Sequence, residues 1–186
     1  MDIGSIITGV FISLIVWWIT NSVFTPKISI TNKIVKTPSG RFQIGIQNDS
    51  SFRDVCDIYA YIKFCFASGN SYSTKLGQIL LLERRQKSKK QSKEDNSTPT
   101  SSVVLFIDGY KDPKEKIHTV DDFFESTENK EGGYIDIYVI GQDGFNGSAK
   151  KISKARYYYK DISIYSCIKK GTIDVVEISE DFGAQR

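Results

Sequence analysis

Histidine and cysteine, the side chains that most often bind metals, are scarce in this sequence. The chain of 186 residues has one histidine, His118, and three cysteines. Neither a Cys-x-x-Cys pair nor a His-Glu-x-x-His motif occurs, and a zinc site built on histidine needs more ligands than one. An odd number of cysteines in a chain too large to need disulfides favours free thiols. The sequence therefore predicts no metal site and no cofactor.

The signatures of common catalytic sites are missing as well. A triad can be drawn from His118, the nearby Asp121 or Asp122 and a serine. No Gly-x-Ser-x-Gly elbow supports such a triad, so a histidine in a surface turn is the simpler interpretation. No Gly-rich loop for phosphate precedes a helix. We predict that the protein is not an enzyme and has no catalytic residues.

Charged residues are absent from a long segment near the start of the chain. The 22 residues from Ile3 to Phe24 include no Asp, Glu, Lys or Arg. A helix of that length covers about 33 Å, enough for a hydrocarbon core of about 30 Å. We predict a transmembrane anchor over residues 1–25, with Trp17 and Trp18 near the membrane interface.

The distribution of basic residues predicts an orientation for that anchor. No Lys or Arg precedes it, whereas Lys27, Lys33, Lys36 and Arg41 follow it. Positive residues stay on the cytoplasmic side of a membrane. We therefore predict a single-pass membrane protein with its N-terminus outside and its remaining domain, residues 26–186, in the cytoplasm.

Small residues recur along the apolar segment. Ser5, Gly9 and Ser13 follow one another at intervals of four, which places them on one stripe of a helix. Such stripes let two helix backbones approach closely in a membrane. We predict membrane lipid as one partner and a homo-oligomer formed through this stripe.

Helical patterns are scarce after the apolar segment, and tyrosine and phenylalanine are abundant. Apolar and polar residues alternate from Val55 to Phe66, which predicts a central strand. About eight to ten short strands separated by turns predict an all-β domain. We favour an antiparallel immunoglobulin-like sandwich, with a closed β-barrel as the alternative. The predicted buried face of the central strand comprises Cys56, Ile58, Ala60, Ile62, Phe64 and Phe66.

Polar and aromatic residues form the predicted opposite faces of these strands. On the central strand, the predicted face opposite the apolar one comprises Asp57, Tyr59, Tyr61 and Lys63. Residues 157–159 are three consecutive tyrosines, which either line a binding face or simply alternate between core and surface. Residues 121–125 predict one helical turn that packs two aromatic rings on the edge of the sheet.

Residues 84–102 contain no large apolar residue, so we predict a disordered basic loop there. Contact with anionic lipid is one interpretation of its charges, and a solvated insertion between strands is the other. No aromatic residue lies between these charges to stack on bases, which makes a nucleic-acid partner unlikely by this pattern. The basic side chains are Arg84, Arg85, Lys87, Lys89, Lys90 and Lys93.

These patterns predict a membrane-anchored, non-enzymatic binding module on the cytoplasmic face. One version is a sensor or effector that oligomerises in the membrane, for example in defence. Its partner would be an unidentified protein or small ligand. The alternative function is a structural or scaffold subunit of a membrane complex.

Overall fold

The computed structural model describes residues 3–24, 27–50, 54–85, 101–142, 149–169 and 171–178. This part of the chain is mostly β-sheet with few helices, which confirms the predicted β character. The helices are α1 (Ile3–Phe24), α2 (Val120–Phe123) and α3 (Thr127–Gly132), with a 3-10 turn at Tyr159–Asp161. The strands are β1 (Ile28–Ile30), β2 (Ile34–Lys36), β3 (Phe42–Asn48), β4 (Val55–Cys65), β5 (Ser71–Leu82), β6 (Ser102–Ile107), β7 (Tyr110–Lys111), β8 (Ile117–His118), β9 (Tyr134–Gln142), β10 (Ala149–Tyr157), β11 (Ile162–Ile164), β12 (Ser166–Ile168) and β13 (Val175–Glu177).

The described strands form two larger sheets and two short hairpins. The first sheet has five strands: β3 pairs with β6, β1 and β2, and β2 also pairs with β11. The second sheet has four antiparallel strands in the order β10-β9-β4-β5. Strands β7 and β8 pair with each other, as do β12 and β13. Because β11 runs parallel to β2, the prediction of a purely antiparallel arrangement is wrong at this pair.

The core lies between the two larger sheets. Ile34, Ile44 and Ile46 of the first sheet and Ile62 and Ile137 of the second are fully buried in one cluster. Alternation explains this arrangement, since every second side chain of a strand points to the same side. Two sheets that share one core are consistent with a β-sandwich.

A buried hydroxyl joins the two sheets at one edge. Tyr157, on β10, is almost fully buried, and its hydroxyl donates a hydrogen bond to the backbone carbonyl of Thr31, between β1 and β2. The backbone N–H of Thr31 in turn donates to the carbonyl of Gly45 on β3 (2.9 Å). Burial raises the pKa of the Tyr157 hydroxyl, so it stays protonated and acts as a donor.

One residue reverses the inward and outward faces near the start of β4. Asp57 has a φ of 50°, in the left-handed region, so the strand does not alternate regularly there. Val55 is buried and Cys56 is exposed, whereas the predicted alternation holds from Ile58 to Phe64. The prediction that Cys56 lies on the buried face is therefore wrong.

A short helix packs two aromatic rings against the core, as predicted for residues 121–125. Thr119 caps α2: its side chain accepts a hydrogen bond from the N–H of Asp122, and the Asp122 carboxylate accepts one from the N–H of Thr119. This capping box stabilises the first turn of a helix. Phe123 and Phe124 are buried behind it.

The prediction of a transmembrane anchor is wrong. Among the described residues, no helix is long and apolar enough to cross a bilayer. The single-pass localisation with the N-terminus outside depended on this span and is wrong with it.

Candidate functional site: the outer face of the four-stranded sheet

Tyrosine and basic side chains cover the side of the four-stranded sheet that faces away from the core. Side chains alternate between the two sides of a strand. Every second residue of β4 from Ile58 to Phe64, and of β9 from Ile135 to Val139, is buried in the core, and the residues between them form this face. We call it the aromatic–basic face. It comprises Tyr59, Tyr61, Lys63, Lys75, Tyr134, Asp136, Tyr138, Lys154 and Arg156.

One row of this face crosses all four strands. Lys154 on β10 lies opposite Tyr138 on β9, which lies opposite Tyr61 on β4, which lies opposite Lys75 on β5. The rings of Tyr61 and Tyr138 stack with centroids 5.6 Å apart and planes 11° apart. We call this the central row: two half-buried tyrosine rings between two lysines.

The neighbouring row contains a nearly buried acid. Asp136 pairs in register with Arg156 on one side and Lys63 on the other. Its two carboxylate oxygens accept hydrogen bonds from Arg156 Nε (2.8 Å) and Nη2 (3.1 Å), and Lys154 Nζ lies 2.7 Å away. Burial acts to raise the pKa of Asp136, but the hydrogen bonds and charges of Arg156 and Lys154 outweigh it and lower that pKa. Asp136 is therefore ionised and holds both cations in place.

Cations also lie over tyrosine rings on this face. Lys75 Nζ is 4.0 Å from the ring centre of Tyr59, and the guanidinium carbon of Arg156 is 3.9 Å from that of Tyr134. These distances are typical of cation–π contacts. They keep the positive groups beside the rings, at the surface.

The face carries an excess of positive charge. Its four cations, Lys63, Lys75, Lys154 and Arg156, face one carboxylate, Asp136, so the net charge is +3 (four minus one). Lys154 and Arg156 remain 39% and 40% exposed although both contact Asp136. An anionic group in solution can therefore reach them.

A separate cavity of about 550 Å³ lies beside α2. Lys36 and Asp121, at its wall, already form an ion pair of 2.6 Å, and Lys130 lies over the ring of Tyr159. Because its wall carries three lysines and three carboxylates, this cavity favours no particular charge in a ligand.

The predicted helix residues lie on α1. Trp17 and Trp18 are both 64% exposed there. Ser13 Oγ donates to the carbonyl of Gly9 (2.8 Å), so these two members of the predicted stripe do lie one turn apart. The side chain of Ser5 lies outside the described residues, and the helix association stays a prediction.

Most of the predicted basic loop lies outside the described residues, including Lys87, Lys89, Lys90 and Lys93. Arg84 and Arg85, at its start, are exposed. The backbone N–H of Arg84 donates to Asp54 Oδ1 (2.7 Å), and that of Arg85 donates to the carbonyl of Ser50 (3.0 Å). Ser102, at the other end, already belongs to β6. Anionic-lipid contact by these residues stays a prediction.

His118 does not form the triad considered from the sequence. Its Nε2 lies 3.2 Å from Asp112 Oδ2, and its ring stacks on Tyr110 with centroids 5.1 Å apart. Burial acts to raise the pKa of Asp112, but hydrogen bonds from His118 and two backbone N–H groups lower it. Asp121 instead pairs with Lys36. This cluster therefore closes the β7–β8 hairpin.

The three consecutive tyrosines separate between core and surface. Tyr157 is buried, whereas Tyr158 and Tyr159 are 39% and 46% exposed. Tyr158 lies at the border of the aromatic–basic face, with its ring 6.1 Å from that of Tyr134. Tyr157 is the last residue of β10, whereas Tyr158 caps the 3-10 turn that follows and Tyr159 begins it.

The central row was missed from the sequence because its four residues come from four separate strands. The signal that could have found it is a spacing of two within each strand: Tyr59-x-Tyr61-x-Lys63, Tyr134-x-Asp136-x-Tyr138 and Lys154-x-Arg156. Each pattern places its residues on one face. Only the pairing of the strands places the three patterns side by side.

Among the described residues, no group of three or more His, Cys, Asp or Glu side chains could hold a metal ion. No protein-family model matches this sequence, and no curated protein matches it either. Any functional interpretation must therefore come from the aromatic–basic face itself.

Proposed function

We propose that this protein is a non-enzymatic binding module that captures an anionic partner on the aromatic–basic face. The observation that carries the proposal is the central row, in which Lys154, Tyr138, Tyr61 and Lys75 meet from four adjacent strands. The proposal does not depend on a membrane span. It retains the expectation of a binding protein without catalytic residues.

Physical reasons favour this face over the rest of the described surface. Tyrosine supplies a large contact area with few rotatable bonds, and it is enriched in the core of binding interfaces. A net charge of +3 on one face attracts anions over about 8–10 Å at physiological salt. Asp136 fixes Lys154 and Arg156, so less side-chain entropy is lost when they bind a partner.

Fluorescence anisotropy of the full chain with labelled heparin and labelled polyglutamate tests the proposal. We expect binding that weakens as salt is raised. The double variant Lys63→Glu/Lys75→Glu reverses two charges of the face and should weaken binding by about tenfold or more, which is about 1.4 kcal/mol. The matched control is Lys33→Glu/Lys114→Glu, because both lysines are exposed and lie off the face.

Equal loss of affinity in the two double variants would mean that net charge alone drives binding and would contradict the proposal. So would the absence of binding to either polyanion at low salt. The alternative of a scaffold subunit stays a prediction, and no observation in the described residues favours it specifically.

A further inference from the structure

We infer that the anionic partner is a single-stranded nucleic acid, an inference that rests on the proposed binding function of the aromatic–basic face. In this arrangement, bases stack on Tyr61 and Tyr138 and phosphates lie against the flanking Lys75 and Lys154. The juxtaposition of rings and cations across four strands carries the inference.

Rings and cations lie next to each other on the face in two directions. Neighbouring strands of the central row are about 4.8 Å apart. Along β4, the backbone advances about 6.8 Å from Tyr59 to Tyr61 and again from Tyr61 to Lys63. A nucleotide chain is the common biological polymer in which every unit carries both a planar ring and an anionic group. Two rings flanked by two cations match two consecutive units of that kind.

The aromatic rings separate a nucleic acid from other polyanions. An acidic peptide or a sulfated sugar supplies the charge that Lys63, Lys75, Lys154 and Arg156 require, but neither supplies a flat ring for the tyrosines. Stacking on aromatic side chains is how proteins hold single strands without reading their sequence, because every base has a π-face. Arg156 over Tyr134 adds a guanidinium plane of the same kind.

The shape of the face favours a single strand over a duplex as the ligand. The described part of the face is a surface of four paired strands on which Tyr59, Tyr61 and Tyr138 stay partly exposed. In a duplex the base faces are covered by their neighbours, so the tyrosine rings could contact only the backbone. Four-stranded sheets with exposed aromatic residues suit unstacked bases instead.

The basic segment of residues 84–102 led to the opposite expectation from the sequence, because no aromatic residue lies among its charges. The interleaving that stacking requires is present, but on the sheet and between strands. Tyr61 and Lys75 are distant in the chain and directly opposite each other in the fold.

Anisotropy of the full chain tests the inference with four labelled probes. They are an oligothymidylate of about 12 nucleotides, which is within the range one β domain covers, its duplex with oligoadenylate, an abasic strand with the same number of phosphates, and heparin. We expect the oligothymidylate to bind at least about tenfold more tightly than the abasic strand and the duplex. This comparison uses the native chain and so does not depend on any variant folding.

Variants then assign the binding to the central row. Tyr61→Ala should weaken oligothymidylate binding roughly 5- to 150-fold, the loss typical of one stacked base, and leave abasic-strand binding unchanged. Tyr165→Asn is the control, because Tyr165 is exposed off the face and its φ of 53° suits asparagine. Lys75→Gln should reduce the steepness of the slope of log affinity against log salt concentration by about 0.7, and Lys33→Gln should leave that slope unchanged.

The outcomes distinguish the two proposals. If the abasic strand or heparin binds as tightly as the oligothymidylate, the nucleic-acid inference is wrong and the anionic binding function stands. If the duplex binds as tightly as the single strand, the stacking arrangement is wrong. If none of the four probes binds, both proposals are wrong.

Discussion

Strands β4 and β9 present two faces made under different constraints. Towards the core, Ile58, Ile62 and Ile137 have no exposed surface. On the other side, Tyr61, Lys63 and Tyr138 stay partly exposed in the same strands. The inner face must be apolar because its burial is a main source of the free energy that stabilises the fold.

The outer face is under no such constraint. Any polar residues with good β propensity would satisfy strands that are half in water. The tyrosine pair at 5.6 Å, flanked by Lys75 and Lys154, is one of many arrangements that would satisfy folding. A binding function can therefore be encoded on the outer face, where folding does not fix the choice of side chain. Substitutions on the two faces should separate stability from binding.

The largest expected effect is on the inner face. Ile62→Asp would place a charge where the native side chain is fully buried in the core cluster. We expect a loss of more than about 4 kcal/mol in the free energy of unfolding, enough to unfold many domains. Thermal unfolding of the full chain measures it. The control Lys63→Asp changes the adjacent outward residue, and an equal loss there would contradict the assignment of the two faces.

The next effect concerns the one nearly buried acid of the outer face. Asp136→Asn removes the charge that Arg156 and Lys154 contact, and we expect a loss of about 1–3 kcal/mol in stability at pH 7. Because the folded-state pKa of Asp136 is lowered, its contribution is fully present above its unfolded pKa of about 3.9 and is lost as pH falls through the folded-state pKa.

Urea unfolding at pH 7 and at pH 3 checks this dependence. The stability difference between the native chain and Asp136→Asn should shrink at pH 3. Glu131→Gln, at an exposed position of α3, is the control for removing a carboxylate. A difference that stays constant between the two pH values would mean that the Asp136 interaction does not depend on its charge.

A smaller effect is expected where the two sheets are joined. Tyr157→Phe keeps the ring in the core but removes the hydrogen bond to the carbonyl of Thr31, which should cost about 1–2 kcal/mol. Tyr158→Phe removes a hydroxyl from the adjacent exposed ring and should cost less than about 0.5 kcal/mol. The midpoints of urea unfolding compare the two variants. The prediction fails if both variants lose the same stability.

The sequence predicts the inner face well, because burial forces a simple alternation. The central strand, its buried residues from Ile58 to Phe64, and the helical turn with Phe123 and Phe124 are confirmed. Strand β5 begins at Ser71, although only its end, from Gln78 to Leu82, is an apolar run. Its first half, rich in Ser, Thr and Lys, becomes a strand because β4 pairs with it, and no local pattern shows this.

Two errors have different causes, one local and one in strand pairing. Cys56 points outward because Asp57 adopts a left-handed φ, and sequence alternation carries no sign of such a reversal. The parallel pair β2–β11 joins residues near 35 and 163, and periodicity cannot show which strands become neighbours. The same limit hid the central row. Of that row, the sequence could place Tyr61 on the outward face but could not find its neighbours.

The smallest expected effect decides whether the outer face is structural. Lys75→Gln removes the cation from above the ring of Tyr59, and an exposed cation–π contact contributes about 0.5–1 kcal/mol. Lys75 is exposed and glutamine keeps much of its length, so we expect a loss of no more than about 1 kcal/mol. The adjacent Leu76 packs against the core, and Leu76→Gln should cost more than about 1 kcal/mol. Urea unfolding of both variants, together with polyanion binding of Lys75→Gln, distinguishes a structural role of Lys75 from a binding role.

A nearly unchanged stability with weakened binding is the result expected of a functional face. A loss above about 1 kcal/mol for Lys75→Gln, with binding unchanged, would mean that the cations stabilise the sheet and that the face has no role in binding.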